Sequence, residues 1–263
     1  MAGCSAEVGD PDGDGPANLS PLGSPAEQGG GAKTASTGLT SRPGGSGSDG
    51  TGGTVTAGSG GPSNGCATLG AIPAGVTTGS NLRTDMDGDG RADTVGTYRS
   101  VSGEQWRLRV AFAAGGGSEL VLSVEPGPAM VAALGSAPLG PATQSRPVLF
   151  VATGSGASSR TVELFTVDGC EVVALTDASG ASPSFVIGAS LGHQEGLRCQ
   201  LAGGQQMVVE VLSVTASAGG FSVTERSFAR DGNLLLANGA ATTQSPTPPP
   251  EAGRIAGCGD VTL

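Results

Sequence analysis

Four aspartates stand within nine residues in Asp85-Met86-Asp87-Gly88-Asp89-Gly90-Arg91-Ala92-Asp93. Carboxylates this close repel one another unless a hard cation gathers their oxygens. The spacing suits such a cation. Asp85, Asp87 and Asp89 occupy loop positions 1, 3 and 5, and Gly90 allows the sharp turn at 6. Arg91 offers its carbonyl at 7, and Asp93 closes the set at 9. Position 12 is Gly96, where an EF-hand carries a bidentate Glu, and Thr94-Val95-Gly96-Thr97-Tyr98 reads as a strand, not a helix. The plain alternative is a solvated Asp/Gly turn without metal.

Asp-x-Asp-Gly-Asp-Gly-x-x-Asp running into a strand resembles the FG-GAP or VCBS-type repeat. The resemblance covers this loop alone. It implies a β-rich extracellular domain, often built of propeller blades, with Ca2+ held by Asp85, Asp87, Asp89, the Arg91 carbonyl and Asp93. A second acidic stretch, Asp10-Pro11-Asp12-Gly13-Asp14-Gly15, is followed by Pro16, has Asn18 where the last Asp would stand, and leads into no strand, so it is not expected to hold metal.

Other chemistry is weaker. Gly188-Ala189-Ser190-Leu191-Gly192 matches the Gly-x-Ser-x-Gly of a hydrolase nucleophile elbow after the apolar run Phe185-Val186-Ile187. Such an elbow needs a following helix and a distant His, whereas His193, the only histidine, is three residues away. A cell-wall or glycan hydrolase, or an inactive relative of one, is therefore the alternative to a non-enzymatic protein. Gly31-Ala32-Lys33-Thr34 lacks the Gly before Lys that a phosphate loop requires. Glu104, Glu119, Glu163, Glu171 and Glu210 fall on strands or beside turns and read as solvated faces. Tyr98 and Trp106 could stack a sugar, which would make this a carbohydrate-binding module, but Trp106 is in phase with Leu108, Val110 and Phe112 and reads as core.

Met1-Ala2-Gly3-Cys4 resembles the end of a bacterial lipobox, with Cys4 receiving lipid after signal cleavage. That leaves Cys66, Cys170, Cys199 and Cys258, an even number, for two disulfides in an oxidising compartment. Three connectivities are open; the expected one joins Cys170 to Cys199 within the domain and Cys66 to Cys258 across its ends. A zinc site is disfavoured by long spacings and the absence of Cys-x-x-Cys.

The elements that must position these residues are short strands. Of 263 residues 48 are Gly, aromatics make up 3% and charged residues 14%, a composition of β-turns and linker. Residues 5–65 are Gly, Ser, Thr, Pro and Ala with scattered acids, and read as a disordered stalk whose reach is roughly 45 Å. From Cys66 to about residue 238 apolar runs alternate with polar positions, as in Gln105-Trp106-Arg107-Leu108-Arg109-Val110-Ala111-Phe112. Further runs are expected at 119–124, 147–152, 160–167, 170–175, 184–188, 206–216, 221–229 and 233–237, with hairpin turns at Asp168-Gly169 and Asp231-Gly232. Only Pro128–Leu134 suggests a helical turn.

The fold class is all-β: antiparallel meanders, closed as a β-propeller-like assembly or a compact sheet or barrel. A shift of about 55 residues lays the strand following the acidic loop on that beginning near Val148, and a third unit is expected over about 183–237. Asp85, Asp87, Asp89 and Asp93 then fall on Gly140, Ala142, Gln144 and Val148, so only the first unit keeps the ligands. Residues 239–263 read as a Pro-rich tail. No apolar run reaches the roughly 20 residues of a spanning helix. A net charge of -10 argues against nucleic acid or anionic lipid as the main partner. Membrane contact is expected through the lipid on Cys4 alone, at the extracellular face of the bacterial cytoplasmic membrane, with a protein or glycan of the cell envelope as partner.

Overall fold

A computed structural model describes residues 65–124, 131–143, 146–190, 192–217, 219–247 and 255–262. Cys4, Asp10–Gly15, Gly31–Thr34 and the expected stalk, Gly65 apart, lie outside them. Strands β1 (Thr78–Thr84), β2 (Asp93–Arg99), β3 (Trp106–Ala111) and β4 (Gly117–Leu122) form one antiparallel meander. Its register aligns Val95 with Val110 and Leu108 with both Thr97 and Leu120, so alternate side chains line one inner face.

The larger sheet contains β5 (Ala132–Ala137), β6 (Gly140–Pro141), β7 (Val148–Ser155), β8 (Ser159–Asp168), β9 (Glu171–Ala174) and β10 (Ser184–Ser190). It continues through β11 (His193–Ala202), β12 (Gln205–Thr215), β13 (Phe221–Asp231), β14 (Leu234–Ala237), β15 (Thr242–Thr247) and β16 (Ile255–Ala256). Its main path runs β14-β13-β12-β11-β10-β8-β7-β5, with β9 beside β8, β6 beside β12, β15 beside β13 and β16 beside β11. Every pairing between these strands is antiparallel except that of β11 with β16. The chain is thus all-β with antiparallel sheets, and of the alternative closures a barrel is not formed among the described residues.

Two cores explain the layering. In one, Val95, Trp106, Leu108 and Val110 of the small sheet pack with Leu149, Val151, Phe165 and Val167 of the large one. In the other, the opposite faces of β7 and β8 present Val148, Phe150, Val162 and Leu164 to Phe185, Ile187, Leu197, Val208 and Leu235. Strand β7 is therefore covered on both faces, which is why Val148-Leu149-Phe150-Val151-Ala152 reads as a continuous apolar run. Beyond shared core, the two sheets meet edge against edge. The Ser80 hydroxyl donates to the Ala133 carbonyl at 2.8 Å, Thr84 and Ser136 hydroxyls lie 2.7 Å apart, and the Val172 N–H donates to Ser118 at 3.0 Å.

Displaced by about 55 residues, β1–β4 falls on β5, β7, β8 and β9, with Asp93 and Val148 each opening its strand. The third unit does not stand apart: β10–β14 extend the large sheet directly from β8, with strands of up to 11 residues. The helical turn expected over Pro128–Leu134 is not seen among its described residues, since Ala132, Ala133 and Leu134 belong to β5. Small side chains make that strand a close-approach element. A Cβ on Gly135, whose φ is +142°, would come within 2.6 Å of the Asp260 carbonyl oxygen. The 239–263 stretch, expected as a tail, supplies β15 and β16 and buries Cys258 and Val261.

The disulfides are two in number, as expected, but connect differently. Cys66 bonds Cys170 and Cys199 bonds Cys258, with Cα separations of 5.3 and 4.9 Å, in place of Cys170–Cys199 and Cys66–Cys258. Two long-range pairings cause this. Residue Ala67 lies along β4, its carbonyl accepting the Gly117 N–H, while the β8–β9 turn carries Cys170 to the same edge, where Val172 meets Ser118. Strand β16 runs parallel to β11 and so brings Cys258 to Cys199. Each end of the domain is fastened to its body, and the ends are not fastened to each other.

Candidate metal centre

The acidic loop joins β1 to β2. It is held from both sides of its tip: Met86 is wholly buried in the core between the sheets, and Asp93, also wholly buried, begins β2. Gly88 and Gly90, with φ of 80° and 84°, make the reversals that other residues resist. Asp85 then acts as an internal staple. Its Oδ1 accepts the N–H groups of Gly88 (2.8 Å) and Asp89 (3.1 Å), and its Oδ2 accepts that of Gly90 (2.8 Å). Oδ1 of Asp87 accepts the Asp89 N–H at 3.1 Å, and Oδ1 of Asp89 accepts the Arg91 N–H at 2.7 Å. Guanidiniums brace the outside, Arg83 donating to the Ala92 carbonyl at 3.0 Å and Arg91 to that of Ala113 at 2.9 Å.

Asp85, Asp87 and Asp89 each bring a carboxylate oxygen within 4.8 Å of the others. Among the described residues no donor reaches Oδ2 of Asp87 or of Asp89. Burial pushes the Asp87 carboxyl above its ordinary value; the Asp89 N–H opposes this, while the charges of Asp93, Asp89 and Asp85 add to it. A cation among the three would offset that repulsion. The donor set is all hard oxygen, with neither thiolate nor imidazole, and it fits a hard cation. The triad can hold a metal ion.

Asp93 is placed differently from the other three. Its Oδ2 accepts the Met86 N–H at 2.7 Å and its Oδ1 the Ala113 N–H at 2.8 Å, so it ties the loop to the turn after β3. It is not grouped with the triad. Spacing alone does not reveal this anchoring role; the signal available was that position 9 opens a strand, where a side chain facing the core is expected. Arg91, expected to give its carbonyl, is observed through its donors.

Elsewhere, Ser190 and His193 are cross-strand partners at the β10–β11 turn, so the Gly-x-Ser-x-Gly segment is a β-hairpin and not a strand–turn–helix elbow. His193 contacts Glu195 at 2.8 Å on the exposed surface. Trp106 is buried in the core, as its phase predicted. Tyr98 lies on the other face of the small sheet, its hydroxyl donating to Glu119 at 2.9 Å. Glu119, expected as a solvated face, is instead the shared acceptor of Tyr98 and Arg109. No protein-family model matches the chain, and no curated protein or solved structure matches it either.

Proposed function

We propose that this is a non-enzymatic, calcium-stabilised β domain, displayed at the bacterial cell envelope by lipid on Cys4 and the stalk over residues 5–65, where it binds a protein or glycan. The observation that carries the metal part is the loop itself: three convergent carboxylates, two with an oxygen open, set on a frame already fixed by Met86 and Asp93. Calcium accepts such oxygen-rich, partly hydrated loops and tolerates irregular geometry. Its role would be structural, ordering the entry to β2 against carboxylate repulsion. Two disulfides fastening the ends support an oxidising compartment, and hence the extracellular side of the membrane.

Thermal unfolding of the full chain in calcium and in chelator tests the metal assignment. For an extracellular-type site of roughly 0.1 to 1 mM affinity, about 10 mM calcium adds about 1.4 to 2.7 kcal/mol. In a domain of this size that raises the midpoint by about 3 to 10 °C. Superimposed curves would remove calcium from the assignment. Palmitate labelling of the precursor in its own host tests the anchor, and label that persists after Cys4→Ala would remove Cys4 as the attachment point.

A further inference from the structure

We propose that the cleft between residues 68–73 and the outer face of β2–β4 is a binding site for the carboxylate of an acidic sugar, with Arg107 as its recognition group. The cleft is about 410 Å³, within the range of small-ligand sites, and lies on the face of the small sheet away from its core. Its floor is a charge cluster whose members are unequally satisfied. Glu119 places one oxygen on Arg109 and the other on the Tyr98 hydroxyl, 2.9 Å away. Arg109 is further saturated by the Gly70 carbonyl at 2.6 Å. Burial and the bond to Glu119 push the Tyr98 phenol up, so it remains a donor and keeps that oxygen engaged.

Arg107 is what this arrangement leaves over. It pairs with Tyr98 across β2 and β3 and forms an ion pair with Glu119 at 3.7 Å, too long for a hydrogen bond, in a cluster of two arginines and one glutamate whose sum stays positive. Among the described residues nothing accepts its N–H groups, and its side chain is 35% exposed. Glu104, in the same β2–β3 turn, does not line the cleft. A guanidinium with an open fork in a protein of net charge -10 presents a local positive site for a planar oxyanion, and carboxylate matches it with two parallel hydrogen bonds. The rest of the lining suits a sugar ring. Thr68 offers a hydroxyl, Ser100 lines the cleft with its own hydroxyl bonded to Ser102 and to the Gln105 N–H, and Leu69, Pro73 and Val101, the last 76% exposed, offer apolar surface for the C–H face of a pyranose.

The site is separate from the acidic loop, so it goes beyond the calcium reading and is tested without metal. The full chain, disulfides oxidised and in chelator, is titrated by NMR or calorimetry with glucuronate, glucose, acetate and inorganic phosphate. Glucuronate should saturate, and bind at least about fivefold more tightly than glucose or acetate. Arg107→Gln should weaken it about tenfold or more with the circular dichroism spectrum unchanged, Arg107→Lys should recover part of the loss, and the exposed Arg226→Gln should change nothing. Failure to saturate, or an Arg107→Gln variant that binds like wild type, overturns the site. Acetate binding as tightly as glucuronate overturns the sugar assignment, and tighter phosphate binding overturns the carboxylate one.

Discussion

Replacing Asp93 should damage the fold even when no metal is bound, whereas replacing Asp87 should not. Asp93 is wholly buried and accepts two backbone N–H groups, from Met86 at 2.7 Å and Ala113 at 2.8 Å. Each bond to a charged acceptor contributes about 1.5 to 3 kcal/mol, and removing the acceptor strands a buried donor. Asp93→Ala should therefore cost about 3 to 6 kcal/mol, a large share of the ~5 to 15 kcal/mol available to a domain. Asp93→Asn keeps one oxygen and turns an NH2 toward the second donor, so about half that loss is expected. Asp87 accepts only the Asp89 N–H, at 3.1 Å in a solvent-facing loop, and Asp87→Asn also relieves repulsion from its neighbours. In chelator it should shift stability by less than about 1 kcal/mol. Urea unfolding followed by circular dichroism, with disulfides oxidised, gives both numbers. With about 10 mM calcium the order should reverse in one respect: Asp87→Asn loses the calcium-dependent gain, while Asp93→Asn keeps it on a lowered baseline. Equal costs for the two variants in chelator, or an Asp93→Asn protein as stable as wild type, would refute the division into anchor and ligands.

Peptide mapping of unreduced protein should recover Cys66 linked to Cys170 and Cys199 linked to Cys258; breaking them should cost about 4.7 and about 4.2 kcal/mol in the chain-entropy estimate for closures spanning 104 and 59 residues. Arg230 is 5% exposed and donates to the carbonyls of Gly232 and Arg146 and to the Thr166 hydroxyl, so Arg230→Lys, which cannot hold all three, should lower the urea midpoint by an amount equivalent to about 2 kcal/mol. The Glu210 carboxyl is raised above its ordinary value by burial, with Arg226 opposing and Glu195 adding. A raised folded-state value means that its contribution is fully present below the ordinary carboxylate value and is lost as pH rises through the folded one; Glu210→Gln should flatten that part of the stability-versus-pH curve, and an unchanged curve would contradict the assignment.

Strands whose sequence alternates were legible, and those built from small or polar residues were not. Trp106-Arg107-Leu108-Arg109-Val110 announces a half-buried strand, and β7 announces a fully buried one. Strand β1, Thr-Gly-Ser-Asn-Leu-Arg-Thr, carries one large apolar side chain, and β5 is mostly Ala, Gly and Ser because it lies where the C-terminal segment and β1 approach closely. Its small residues serve distance, not burial, so no periodicity marks it. Strand β11 puts only Leu197 and Cys199 into the core, too few apolar positions to mark an alternation. Cystine pairing was illegible for a related reason, since it follows from β16 adding to β11 in parallel, a long-range event with no local signature.

The 55-residue correspondence sharpens what the acidic loop does. Both meanders must connect their first strand to their second and seat the residue that opens the second. In the later copy the connection carries β6, which pairs with β12 through Gln205 and Gln206, and the opening residue is Val148, buried in apolar surroundings. In the earlier copy no such strand covers the connection among the described residues. There Asp93 replaces the valine and collects two N–H groups, and Asp85 collects three more. Carboxylates thus do locally what a neighbouring strand does elsewhere, at the expense of concentrated negative charge. On this view the acidic loop is first a loop-closing device, and a variant in which residues 85–92 are replaced by the equally long sequence of residues 140–147, together with Asp93→Val, should fold without calcium response if β2 needs only a buried residue at that position. If that variant unfolds while Asp93→Asn does not, the anchor is specific to this loop and the two copies solve the connection by unrelated means.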